Sequence, residues 1–276
     1  MNDTSTMTQS SPPRKRSWLK WVLLGAVVLV ALAAVGIWWF LRDDAPAAVN
    51  LDAAVGAVQT TVKTTAADSA VTAPAASSSG VPSSAGAPTS SGVAGAWAVD
   101  PNVGEFSFED STGTFVGFRV AEELTGLGST TAVGRTPAVT GTMTIDGTTL
   151  TAASIVADMT QLTTNDTRRD GPARRALGTS QFPTATFKLT APVELGDAAA
   201  TGAKTSVTAT GDLTIKGVTK SVQFPLQAQL TGDTIVVVGS LDVAFSDYGV
   251  TPPTSRIVVS VQNHGPIELQ LFVTRT

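Results

Sequence analysis

From Trp97 to the C-terminus, apolar and polar residues alternate with a period of two. Val222, Phe224, Leu226, Ala228 and Leu230 interleave with Ser221, Gln223, Pro225, Gln227 and Gln229. Val207, Ala209, Leu213 and Ile215 interleave with Ser206, Thr208, Asp212, Thr214 and Lys216. Ile235, Val237, Leu241, Val243 and Phe245 share one face, as do Ile267, Leu269, Leu271 and Val273. Successive side chains of a strand point to opposite faces, so the pattern predicts strands with one dry and one wet face. Further strands are expected over Phe115–Val120, Val139–Ile145, Thr151–Met159 and Ala185–Val193. Asp146-Gly147, Lys216-Gly217 and Thr231-Gly232-Asp233 carry the turn chemistry of hairpins, and such short links make antiparallel neighbours. About eight strands in about 180 residues predict an all-β domain over residues 96–276, a closed antiparallel barrel or a two-sheet sandwich, which share this periodicity. A barrel of eight strands is either packed solid or wide enough for one small ligand.

The period breaks in two places. Asn165–Phe182 has helix grammar: Asp170 or Gly171 as N-cap, Pro172 in the first turn, Gly178 as the stop, which predicts a short loop helix near Pro172–Leu177. Near the N-terminus, Trp21–Leu41 is uncharged and apolar on every face. Its length of about 30 Å matches the hydrocarbon core of a bilayer, with tryptophans at both ends. Arg14, Lys15, Arg16 and Lys20 precede it and set that side in the cytoplasm. A cleaved signal peptide is the rival, but its apolar core is roughly 7–15 residues, shorter than this run. The expectation is therefore a cytoplasmic tail over 1–20 and a single transmembrane helix over 21–41. That signal anchor would hold the C-terminal domain outside a bacterial cytoplasmic membrane. Residues 42–95 are rich in Ala, Ser, Thr, Gly and Pro and predict a flexible, disordered spacer spanning roughly 40 Å. Within it Val49–Val62 is more apolar and either forms a short helix or stays disordered.

Composition narrows the chemistry. The 276 residues carry a net charge of −4 and no cysteine, so disulfides, thiolate catalysis and Cys-ligated zinc are excluded. The balance gives no clustered basic face for nucleic acid. The single histidine, His264, reads as a turn residue and leaves no imidazole cluster for a metal or a catalytic triad. Asp158, Asp166 and Asp170 are conceivable acid–base carboxylates, but strand-end and turn groups of this kind more often hold local hydrogen bonds. No enzyme activity, metal or cofactor is expected.

Four segments in order, VTGTMTIDG (139–147), LTTNDTRRD (162–170), FPTATFKLT (182–190) and GDLTIKGVTKSVQFPL (211–226), resemble the successive signatures of the YceI-like, polyisoprenoid-binding family. WAVD (97–100) and SDYGVTPP (246–253) fall where weaker counterparts would be. The chain departs from the pattern at Asp100-Pro101-Asn102-Val103, where the family has a histidine after the first Asp, and at an insertion-like stretch, Gly104–Thr114. The resemblance covers Trp97–Thr276. It implies an extended lipocalin-like barrel with an elongated apolar tunnel for an isoprenoid chain, and no enzyme.

Phe118, Phe187, Leu213, Phe224, Leu226, Val237, Leu241 and Phe245 lie on the predicted dry faces, where ordinary core is the plain reading. The resemblance makes them candidates to line the tunnel. Arg168, Arg169, Arg174 and Arg175 offer planar donors to an anionic headgroup, with Arg135 a lesser candidate, although Asp166 and Asp170 are at hand to pair with them. The expected partners are a membrane lipid or isoprenoid and, through the transmembrane helix, the bilayer; a homodimer stays open. The function expected is an anchored extracytoplasmic lipid-binding protein, the alternative a ligand-free interaction module of the cell envelope presented on a stalk.

Overall fold

The computed structural model describes residues 28, 30–32, 45–68, 92–109, 111–126, 128–253 and 258–276. The chain divides into two units, Met1–Asp43 and Asp44–Thr276. In the first, residues 28 and 30–32 are helical, and Val28, Val30 and Leu32 are exposed. The rest of the expected span Trp21–Leu41 and the basic cluster before it lie outside the described residues. No helix among the described residues is long and apolar enough to cross a membrane.

The second unit is built on thirteen strands: β1 (Gly95–Val99), β2 (Phe115–Leu124), β3 (Gly128–Thr136), β4 (Val139–Asp146), β5 (Thr149–Asp158), β6 (Thr163–Thr164), β7 (Thr184–Leu189), β8 (Val193–Glu194), β9 (Thr205–Ile215), β10 (Val218–Thr231), β11 (Thr234–Ala244), β12 (Val258–Val261) and β13 (His264–Arg275). Eight of them, in the order β1–β4–β5–β7–β9–β10–β11–β13, close into an antiparallel barrel through the β13–β1 pairing. That settles barrel against sandwich. β13 is long enough to serve two neighbours: Val273–Arg275 pair β1, and Ile267–Gln270 pair β2, which carries β3 and β6. The hairpin turns fall where glycine predicts them; at the β9–β10 turn Lys216 (φ 51°) and Gly217 (φ 74°) are both left-handed, the geometry that suits the twist of the flanking strands.

Among the described residues three α-helices accompany the barrel: α1 (Leu51–Asp68), α2 (Thr167–Leu177) and α3 (Asp197–Ala200). α2 starts earlier than Pro172. Asp166, not Asp170 or Gly171, is its N-cap, its carboxylate accepting from the Arg168 amide, and Gly178 in the left-handed region ends it as expected. Asp170 is used elsewhere: it accepts from the amide and hydroxyl of Thr164. Pro172 thus lies inside the helix, where it has no N–H to give the preceding turn.

The expected spacer needs a larger correction. Of residues 42–95, those from 45 onward into α1 pack on the outside of the barrel. Leu51, Ala54, Val55 and Val58, one stripe of α1 at helical spacing, bury against the outward-facing Val236, Val238 and Phe272 of β11 and β13. Below this strap lie polar groups that would otherwise be stranded. Arg119 pairs with Glu268 at 2.8 Å and donates to the Pro46 carbonyl at 2.5 Å; Arg135 donates to the Ala47 carbonyl at 2.9 Å. The physical reason is two-sided burial: Thr234-Ile-Val-Val-Val238 is buried on both faces of β11, so its outer face needs a cover. Residues 69–91 of the expected spacer lie outside the described residues.

The stretch Gly104–Thr114 folds over the neighbouring part of that outer face. Its Phe108 carbonyl accepts from Arg135, and its Ser111 and Gly113 carbonyls accept from the buried Gln270 amide.

Candidate lipid-binding interior

The barrel interior is apolar from end to end, but it is not uniformly filled. At the lower end, where the β4–β5 and β10–β11 turns lie, Trp97, Met143, Ile145, Leu150, Ile235, Val237, Leu271 and Val273 are all buried in one cluster. α3 contributes Ala199 to it, and Val93 accepts the Trp97 indole N–H at 2.8 Å. At this end Val207, Ala228 and Leu230 are half-buried; two steps of register higher the packing of the β11, β13 and β2 wall changes. Leu226, Gly239, Leu269 and Val116 stand side by side across β10, β11, β13 and β2, and their three side chains are only half-buried. The next row, Leu241, Ile267 and Phe118 beside Gly134, is half-buried too. An inward-pointing side chain stays accessible only where the space beside it admits a water-sized body.

All eight residues expected to line a tunnel pack within the barrel. Phe118, Phe187, Leu226, Leu241 and Phe245 are half-buried; Leu213, Phe224 and Val237 are buried, Val237 in the filled lower half. Phe187 and Phe224 meet edge to face, ring centroids 6.1 Å apart. The row Val116, Ile267, Leu269 was missing from the expected lining, although the alternation in the last strand had already placed Ile267 and Leu269 on one face. Tyr248 was missed as well. It is buried at the upper end among Leu213, Ile215 and Val243, and its hydroxyl has no hydrogen-bond partner among the described residues. Burial, helped by the neighbouring Asp247 charge, raises its pKa above the usual phenol value.

α2 covers the upper end, laying Ala173 and Leu177 on the apolar interior. The segment before it builds the corner that holds it: the Asn165 carboxamide accepts from the Val133 amide and donates to the Thr131 carbonyl, taking the place of a strand beside β3. The four candidate headgroup arginines are largely committed to this construction. Arg169 pairs with the buried Glu122 of β2 and reaches Asp166 at 3.8 Å; Arg174 donates to the Leu162 carbonyl at 3.0 Å. Arg168 is exposed and chelates Asp166, whose pKa is lowered chiefly by that hydrogen bond. Arg175 is exposed and has no polar partner among the described residues. Arg135 is buried under the strap, its ring-stacked guanidinium 4.3 Å from the Phe115 centroid and its Nε unpartnered; burial lowers its pKa against the opposing pull of Glu268. The carboxylates have local duties too, Asp158 accepting from Thr160 at 2.8 Å. His264 opens β13 beside Asp242.

A closed eight-stranded antiparallel barrel either fills its interior with side chains or holds one small ligand there. The model of the YceI-like domain matches residues 97–273, and the chain belongs to that family. No curated protein matches it. Among solved structures it is similar to a polyisoprenoid binding domain from Saccharophagus degradans implicated in plant cell wall breakdown, at 19% identity and TM-score 0.48 over 65% of this chain and 98% of that one. It is also similar to Burkholderia cenocepacia BcnA, at 20% identity and TM-score 0.44 over 57% of this chain and 95% of that one. The Campylobacter jejuni YCEI protein follows at 16% identity and TM-score 0.43, over 52% of this chain and 84% of that one.

Proposed function

We propose that this chain is a non-catalytic lipid-binding protein. It is anchored outside a cytoplasmic membrane by Trp21–Leu41, and the upper half of its barrel holds a single apolar chain of the isoprenoid class. The observation that carries the reading is the pair of half-buried rows, Leu226–Leu269–Val116 and Leu241–Ile267–Phe118, which face inward without being fully covered. Each CH₂ of a guest removed from water there is worth about 0.8 kcal/mol. For a guest drawn from a bilayer most of that gain cancels, so shape does the selecting. The isoprenoid class rests on the motif resemblance, and the anchor on the uncharged run and its basic flank. The cations of α2 are mostly bonded within the protein, which favours an uncharged lipid over a phosphorylated one.

Organic extraction of the purified full-length chain, followed by mass spectrometry, tests this. A long-chain isoprenoid in near-stoichiometric amount is the expected result. An extract free of lipid, together with no uptake from isoprenoid-loaded vesicles, would return the barrel to a ligand-free interaction module.

A further inference from the structure

Both ends of the barrel are covered, by α2 above and by α3 with Val93 below, so a guest needs another way in. The wall has a discontinuity. Backbone pairing between β10 and β11 runs only from Leu226–Gly239 to Thr231–Thr234. Above it Val218–Pro225 pair β9 alone, and Ser240–Ala244 pair β13 alone. Pro225 stands where the ladder stops, and it has no N–H to extend it. Beyond that point side chains bridge the gap: Val222 of β10 and Leu241 of β11 both pack against the upper apolar cluster of Leu213, Ile215, Val243 and Tyr248, and in the adjoining turns Lys216 Nζ donates to the Gly249 carbonyl at 2.7 Å. Side-chain contacts of this kind part without stranding backbone donors and acceptors, which a ladder cannot do.

At the apex of this seam lies a pocket of about 500 Å³. Ser206, Thr208, Gln227 and Ser240 line it from the outer face, while Leu226 and Gly239 belong to the inner face. Its floor is three consecutive residues from each of β9, β10 and β11 at the last paired position of the ladder, with Val49 of the strap beside them. Gly239 is closely packed, since a Cβ there would sit 2.5 Å from Leu226 Cδ2 and 2.9 Å from Phe224 Cε1. Directly behind stands the half-buried row of Leu226, Leu269 and Val116. No charged side chain among the described residues lines the pocket; three hydroxyls and one carboxamide do.

We propose that the β10–β11 seam is a lateral portal through which the apolar chain slides sideways into the interior. The pocket at its apex then seats an uncharged polar end group, a hydroxyl or a carbonyl. This deepens the lipid-binding reading and rests on it.

The chain has no cysteine, so Pro225→Cys with Ser240→Cys introduces a unique pair across the seam. The full-length variant is mixed with phosphatidylcholine vesicles carrying a fluorescent polyprenol, and uptake is timed before and after reduction. Uptake at least tenfold slower in the oxidised form, restored by reduction, is expected; equal rates overturn the portal. Thr208→Trp fills the pocket from its exposed rim, needs no disulfide, and should slow uptake similarly; normal uptake in that variant overturns the portal as well. A polyprenyl monophosphate of equal length should bind at least tenfold more weakly than the alcohol, and equal binding overturns the neutral end-group site. If the unmodified chain takes up neither probe, it is the lipid reading that fails, and the portal goes with it.

Discussion

On the wall made by β11, β13 and β2 the two halves of the barrel interior are packed differently, whereas on β9 and β10 the order reverses, with Val207, Ala228 and Leu230 half-buried below and Leu213, Ile215 and Phe224 buried above. β13 shows the contrast within three residues: Leu271 is buried to 2% exposure, whereas Leu269, one inward step higher, is half-buried. β11 repeats it, with Val237 buried and Leu241 half-buried. The lower half has Trp97 and Met143 to fill its cross-section and α3 to plug it. The upper half has glycine at 134 and 239, and the Phe118 ring lies on the first and Leu226 and Phe224 on the second, so side chains from neighbouring strands take the place of their own. Hydrophobic identity alone therefore does not decide whether a barrel is core or container; the distribution of volume along its axis does.

The largest expected effect tests that contrast by deletion. Leu271→Ala should cost about 3 kcal/mol of unfolding free energy in denaturant titrations, as cavity-forming changes in packed cores do. Leu269→Ala should cost about 1 kcal/mol, because that side chain is already partly uncovered. Equal losses would mean the upper half is as tightly filled as the lower. Enlargement probes the same two positions from the other side. Leu271→Phe should lose about 1–3 kcal/mol to overpacking, whereas Leu269→Phe should leave stability nearly unchanged and displace bound lipid, read by extraction from the same sample.

A smaller effect concerns the cover of the open half. Asp166→Ala removes the N-cap of α2 and should cost about 1 kcal/mol, with Asp166→Asn largely preserving the cap. The folded-state pKa of Asp166 is depressed, so its contribution is present above the unfolded value, about 3.9, and fades as pH falls through the folded one. Below about pH 4 the wild type should therefore lose protection of α2 amides, measured by hydrogen exchange, and Asp166→Asn should not share this loss. The smallest effect expected is that of Arg168→Ala with Arg175→Ala. Both side chains are exposed, and stability should change by less than about 0.5 kcal/mol. A tenfold loss of polyprenyl phosphate binding alone would restore these arginines as a headgroup site.

What could be read in the sequence tracks how many faces of an element are wet. β9 and β10 alternate cleanly because water covers much of their outer side, and β13 alternates because its covered outer face carries the polar Glu268 and Gln270; the inward residues expected for all three are the inward residues of the structure. β3, Gly-Ser-Thr-Thr-Ala-Val-Gly-Arg-Thr, was not foreseen: Val133 and Arg135 are buried on its outer face, so no alternation survives. The strap falls within the expected spacer, and its helix is one of the two outcomes left open for Val49–Val62. Its signal was nevertheless there in Leu51, Ala54, Val55 and Val58, and its partner was announced by the uninterrupted Ile235–Val238 run, which needs a cover on both sides. The candidate site was legible as a set of inward residues. Which of them face empty space depends on volume summed over several strands, and no single strand's pattern records that sum.

The strap also imposes an order in time. The Val49 amide donates to Glu268, 219 residues further along the chain. During synthesis from the N-terminus, α1 emerges early with its apolar stripe, and the strand that must receive it is among the last segments made. Strap docking can therefore only follow the assembly of β13 with β11 and β2, after every barrel strand exists. Contacts of such long sequence separation form slowly, and until they do the stripe and the outer face of β11 are both open to wrong partners. A bound strap marks a finished barrel, which makes protection of the Leu51–Val58 amides a clock for the last step of maturation.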